Sequence, residues 1–174
     1  MRYLVLADIH SNLEALQSVV RHAKSQGGLE GVWCLGDIVG CGPDPTGCID
    51  LLFSYPLAAV SGNHDLASID AVPLKDFNAY AKAAIVWTQA QLIPEHRTFL
   101  RNNPLRREEE GVTLLHGTPR DPVWEYFLPS IMSTLDLAGN FQQFPTQCCL
   151  MGHSHIPFVC SEMGTGFPGL KPGQ

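Results

Sequence analysis

Residues that bind transition metals recur in short motifs behind apolar runs. They are Asp8 and His10 in Asp8-Ile9-His10, Asp37 in Gly36-Asp37, Asn63 in Gly62-Asn63-His64-Asp65, His116 in His116-Gly117, and His153 and His155 in Gly152-His153-Ser154-His155. Imidazole, carboxylate and one amide oxygen make a mixed nitrogen and oxygen donor set. Such a set suits manganese, iron, zinc or cobalt better than a calcium cage or a thiolate zinc site. Seven donors exceed what one ion takes and fit two ions sharing a carboxylate, an arrangement that performs in-line displacement at phosphorus. Taken singly, each fragment has a plain structural explanation. Asp-x-His is most often a helix cap beside a surface histidine, Gly-Asp after a strand is usually a turn, and a lone histidine at a strand end is usually a satisfied core residue. Their convergence is what points to a site.

Convergence requires elements that end together. Residues 2–7 form a short apolar run and read as a buried strand. Ser11, with Glu14 three residues on, reads as a capping box opening a helix. Leu13, Leu16, Val20 and Ala23 follow at helical spacing until Gly27-Gly28 ends it. Residues 31–35 are a second strand, so the chain opens with a βαβ unit and hence a parallel sheet. Helices are expected over 45–54, 77–92, 94–101 and 131–141, with Pro94 at a first-turn position, and short strands over 57–60, 112–115, 148–151 and 157–160. The charged run Arg106 to Glu110, followed by Gly111, is expected as a solvated hairpin turn. In parallel α/β sheets ligands gather at the carboxyl ends of strands. Each of the donors follows such an end, whereas His22 and His96 fall on expected helix surfaces.

The length of 174 residues suits a single domain, and 45% hydrophobic against 16% charged residues is an ordinary globular balance. A net charge of −6 argues against sequence-independent DNA binding, which needs a basic face. It does not oppose a phosphate-containing substrate, because bound metal ions reverse the local sign. The opening apolar run is too short for a signal peptide, and nothing approaches the ~18 apolar residues of a membrane span. Cys34, Cys41, Cys48, Cys148, Cys149 and Cys160 form no Cys-x-x-Cys and read as reduced thiols of a cytoplasmic protein. Residues 1–163 are expected as the domain and the Gly/Pro-rich 164–174 as a poorly ordered tail. That tail matches Gly-x-Gly-x-x-Gly but lacks the helix a dinucleotide-binding turn needs.

In this order, the five motifs resemble the calcineurin-like metallophosphoesterase superfamily. Residues 7–16, 36–45 and 116–122 look like its small prokaryotic phosphodiesterase branch. The resemblance implies an α/β fold, an αββα sandwich of two mixed sheets flanked by helices, here with the second sheet incomplete because the C-terminus is shorter than is usual in the family. It also implies that Asp8, His10, Asp37 and His155 hold one divalent ion, with Asp37 bridging to a second completed by Asn63, His116 and His153. Manganese is the foremost metal, with iron, zinc, nickel or magnesium as others. Such a site lowers the pKa of a bridging water, whose hydroxide attacks phosphorus in line. His64 is expected at the leaving oxygen as general acid or charge stabiliser, held by Asp65. Asn12 and Arg120 are candidate phosphate contacts, although Arg120 is equally suited to pair with Asp121. Cys41 stands where relatives often carry tyrosine.

The expected activity is metal-dependent hydrolysis of phosphate esters, as phosphodiesterase or phosphatase. The alternatives are a catalytically weak scaffold on the same fold, owing to the shortened C-terminus, and a mononuclear structural metal protein. Scaffolds of this kind lose ligand residues, most tellingly the histidine of Asn-His-Asp, and that histidine is present here as His64.

Overall fold

Alternation along one strand sets the layers. In the computed structural model, which describes residues 2–128, 131–162 and the backbone of 166–168, β2 (Gly31–Cys34) is buried at every position. It lies between β1 (Tyr3–Leu6) and β3 (Leu57–Ala59) in a parallel sheet, with Leu4 opposite Val32 and Trp33 opposite Ala58. Val32 and Cys34 share a core with Leu16 and Val20 of α1 (Leu13–Ser25), Ile49 and Leu52 of α2 (Pro45–Phe53), and Leu100. Trp33 and Leu35 point the other way and pack with Ala58, Val60 and Leu114. Side chains on a strand alternate between faces, so one face of this sheet meets helices and the other meets a second sheet.

In chain order, α3 (Asn63–Ser68), a single 3-10 turn, α4 (Ala79–Gln91) and α5 (Pro94–Asn102), the last carrying Leu100, connect the first sheet to the second. The second sheet is mixed. Strand β4 (Arg106–Glu109) runs antiparallel to β5 (Val112–Leu115), which runs parallel to β6 (Cys148–Leu150). Helix α6 (Thr134–Phe141) flanks this sheet, its Phe141 lining an apolar cavity with Leu150. A ribbon of β7 (Phe158–Cys160) and β8 (Gly166–Pro168) completes the described chain. Two sheets flanked by helices are therefore the architecture, and the three described strands of the first sheet are parallel throughout. No helix among the described residues is long and apolar enough to cross a membrane.

Several local expectations are corrected. Ser11 does not cap α1. It is buried at φ +58°, and its N–H bonds the Ile38 carbonyl at 3.0 Å, so Asn12 takes the cap and accepts from Ala15 N. The run at Arg106 is a strand and not a turn, because charged residues suit a sheet edge. The turn is confined to Glu110-Gly111, both at positive φ. Asn63-His64-Asp65 lies in the first turn of a helix that was not expected. His96 is buried instead of surface-exposed, because α5 turns it toward α2, where its Nε2 lies 2.9 Å from Asp50 Oδ1. The 164–174 tail lies outside the described residues apart from 166–168, which form β8.

Candidate metal centre

Five strand ends deliver the donors. Asp8 and His10 follow β1, Asp37 follows β2, Asn63 opens α3 behind β3, His116 follows β5, and His153 and His155 follow β6. Asp8, His10, Asp37, His153 and His155 all have positive φ, between 47° and 64°. A non-glycine residue in that region costs about 1–3 kcal/mol and persists only where its surroundings fix it. Here the loops behind β1 and β2 are zipped together by Asp8 N to Gly36 O (3.1 Å) and His10 N to Asp37 O (2.9 Å). Among the groups of ligand atoms within 4.8 Å of one another, two gather the expected donors: Asp8, His10 and His155, and Asp37, His116 and His153.

The second group is buried. His116 Nδ1 donates to the Leu35 carbonyl at 2.9 Å, which turns Nε2 toward Asn63 Oδ1 (3.2 Å), His153 Nδ1 (3.1 Å) and Asp37 Oδ2 (3.3 Å). His153 Nε2 in turn donates to the Trp124 carbonyl at 3.2 Å, so its Nδ1 presents a lone pair. With these tautomers, assigned from the carbonyl partners, two imidazole lone pairs, an amide oxygen and a carboxylate face one another. Only a proton or a cation reconciles them. Donors held ~2.1 Å from one ion stand about 3.0–3.4 Å apart at octahedral or tetrahedral angles, so the observed spacings fit a metal. Without metal the proton goes to His116. Burial alone would lower its pKa, but the adjacent Asp37 lifts it to about 9. Burial would raise Asp37, and His116 beside it holds it below the usual carboxylate range.

The first group opens to solvent. His10 Nδ1 faces the Val39 carbonyl at 3.4 Å, leaving Nε2 toward His155 Nε2 (3.3 Å) and Asp37 Oδ2 (3.7 Å). His155 Nε2 lies 3.4 Å from Asp8 Oδ1, and both Asp8 oxygens accept from His153 N. Asp37 Oδ2 therefore faces both groups, while its Oδ1 accepts from His64 N at 2.9 Å. A Cβ at Gly62 would stand 2.1 Å from that Oδ1, so the close approach of the two loops requires glycine there.

His64 sits at the pocket wall, its ring edge-on to His10 and Phe77, and burial lowers its pKa to about 4. Asp65 does not hold that ring. Its two carboxylate oxygens accept from Val39 N and Gly62 N, tying α3 to the loop behind β2. Cys41 Sγ lies 4.0 Å from His64 Nδ1, and burial followed by the charge of Asp37 pushes its thiol pKa up. Cys41, His64 and His10 form a third group of close donors, sharing His10 with the first.

Asn12 and Arg120 are not among the pocket-lining residues. Arg120 pairs with Glu125 and Asp136, and Asp121 instead accepts from Val123 N and Trp124 N. Asn12 uses its Oδ1 to cap α1. Asn12→Ala is thus expected to cost about 1 kcal/mol in denaturant unfolding, with turnover per folded molecule unchanged. Sequence reasoning missed Tyr126, which stacks on His153 and lines the pocket. A lone tyrosine in a loop gives no signal that separates it from a core aromatic.

Two face-to-face sheets with carboxylate and imidazole donors at their strand ends define a class of metal-dependent phosphoesterase folds. The chain belongs to the calcineurin-like phosphoesterase superfamily, whose domain matches residues 1–174. It is 39% identical over 165 residues to an uncharacterised protein of Methanocaldococcus jannaschii, covering 92% of this chain and 65% of that one. It also resembles the crystal structure of a metallophosphoesterase from Sphaerobacter thermophilus, at 40% identity and TM-score 0.77, over 94% of this chain and 64% of that one. The fold is shared with a hypothetical protein of Pyrococcus horikoshii at 23% identity and TM-score 0.72, over 88% of this chain and 69% of that one. The chain thus spans just under two thirds of the length of the first two.

Proposed function

We propose that the chain is a dinuclear-metal-dependent hydrolase of phosphate esters. Asp8, His10, Asp37 and His155 hold one ion, and Asp37, Asn63, His116 and His153 hold the other. The supporting observation is Asp37 Oδ2, which lies 3.7 Å from His10 Nε2 and 3.3 Å from His116 Nε2 and so faces both donor groups at once. Two divalent ions, manganese foremost, supply an activated nucleophile at neutral pH and neutralise charge on the phosphoryl oxygens. Around them the chain's own groups orient and donate. His64, neutral at pH 7 because burial lowers it to about 4, offers an N–H to the leaving oxygen and stabilises charge there. The backbone of Gly62 and Val39 anchors Asp65 and so fixes the turn that carries His64. Six free cysteines fit the reducing cytoplasm.

The test is to load the protein with manganese, count bound ions by elemental analysis, and assay bis(p-nitrophenyl) phosphate. Two ions per chain with turnover agree with the proposal. One ion contradicts the bridging role of Asp37, and two ions without turnover indicate a binding protein on this fold.

The His116–Asp37 pair makes stability depend on pH. His116 is raised from 6.5 to about 9, so its contribution is complete below pH 6.5 and is lost as pH rises through about 9. Asp37 is lowered, so its contribution is present above its unfolded value and is lost only in strong acid. The Tm of metal-free protein should fall between pH 6.5 and 9. Manganese should reverse the trend, because ligation needs deprotonated His116. Calorimetric scans with and without manganese check this.

A further inference from the structure

We infer that Tyr126 is a stacking subsite for an aromatic group, a nucleobase or an aryl ring, carried by the phosphate ester. This deepens the phosphoesterase reading and rests on it.

Tyr126 is 55% exposed, yet its ring lies flat on His153, with centroids 3.9 Å apart and planes 19° from parallel. One face is thus covered by a proposed ligand ring, and the half-exposed residue lines the pocket beside it, whose other walls are polar: His10, Asp37, Asn63, His64, Ser154 and His155. Those walls suit phosphate and metal. Tyr126 supplies the aromatic surface among them. Its orientation is set from both sides. His153 is pinned through Nε2 to the Trp124 carbonyl, and Asp121 Oδ1 holds Val123 N and Trp124 N at 3.0 Å each. The following residue, Phe127, is buried and stacks on Phe158. A tyrosine fixed this way loses little conformational freedom when a ring settles on it, which is the condition for a useful platform. A base or aryl ring placed there would extend the His153–Tyr126 column. Its phosphate would then stand beside the donor group that contains His153, one sugar or linker away.

Non-hydrolysable probes separate this subsite from the metal chemistry. Calorimetric titration of the manganese-loaded protein with benzylphosphonate and methylphosphonate should show the benzyl probe binding about tenfold tighter, in the range of stacking contributions. In Tyr126→Ser the ratio should collapse toward one, and Tyr126→Phe should restore it. An unchanged ratio in Tyr126→Ser, or no aromatic preference in the unmodified protein, overturns the subsite. Equal weakening of both probes in Tyr126→Ser overturns it as well, because the tyrosine then acts only by packing His153. If methylphosphonate fails to bind the metal-loaded protein, the phosphoesterase reading fails and the subsite with it. Methylphosphonate binding with no benzyl preference in the unmodified protein fails only the subsite.

Discussion

Asp37→Ala should abolish metal-dependent hydrolysis of bis(p-nitrophenyl) phosphate, with a loss of about 10³-fold or more. Removing residues that merely support a metal ligand typically costs about 10–100-fold, and Asp37 faces both donor groups directly. The variant should retain one ion or none, which elemental analysis reads independently of turnover. Asp37 is also buried and accepts from His64 N, so alanine leaves that N–H without its partner. Asp37→Asn is the matching control. It keeps an acceptor for His64 N and nearly the same volume, but removes the charge that two cations would share. Full activity in either variant, or two ions bound to the alanine variant, would sink the dinuclear assignment.

His64→Ala carries the second largest effect. A positioned proton donor or charge stabiliser at a leaving group contributes about 10²–10⁴-fold, and the loss here should appear in kcat with the count of bound ions unchanged. The separation is possible because His64 holds Asp37 through its main chain, which alanine retains. Leaving-group dependence sharpens the test. p-Nitrophenolate needs little help, so the variant should lose more against an alkyl phosphodiester than against the nitrophenyl substrate. Equal losses for both would place His64 outside leaving-group chemistry, and loss of metal would make it a ligand.

Much of the centre was legible because its donors sit where topology puts them. Reading 2–7 and 31–35 as strands around a helix is enough to bring Asp8, His10 and Asp37 to one edge, and the remaining motifs follow further strands. What escaped were hydrogen bonds between segments distant in sequence. Asp65 looks like a partner for its neighbour His64, but the 26-residue reach to Val39 N decides where its carboxylate points. Ser11 looks like a helix cap until the loop behind β2 claims its backbone. Residues Arg106 to Glu109 look solvated because they are, and an edge strand is solvated too. The ring tautomers were likewise beyond sequence, since each depends on a carbonyl far along the chain.

Those carbonyls have an evolutionary consequence. Leu35, Val39 and Trp124 aim three of the imidazoles through backbone oxygens alone. A carbonyl oxygen survives every substitution of its own side chain. The aim of these rings is thus inherited with the path of the chain and is insulated from drift at the residues that supply it. Substitution at Leu35, Val39 or Trp124 leaves the aim of these rings in place, and change falls instead on side chains at the rim such as Cys41.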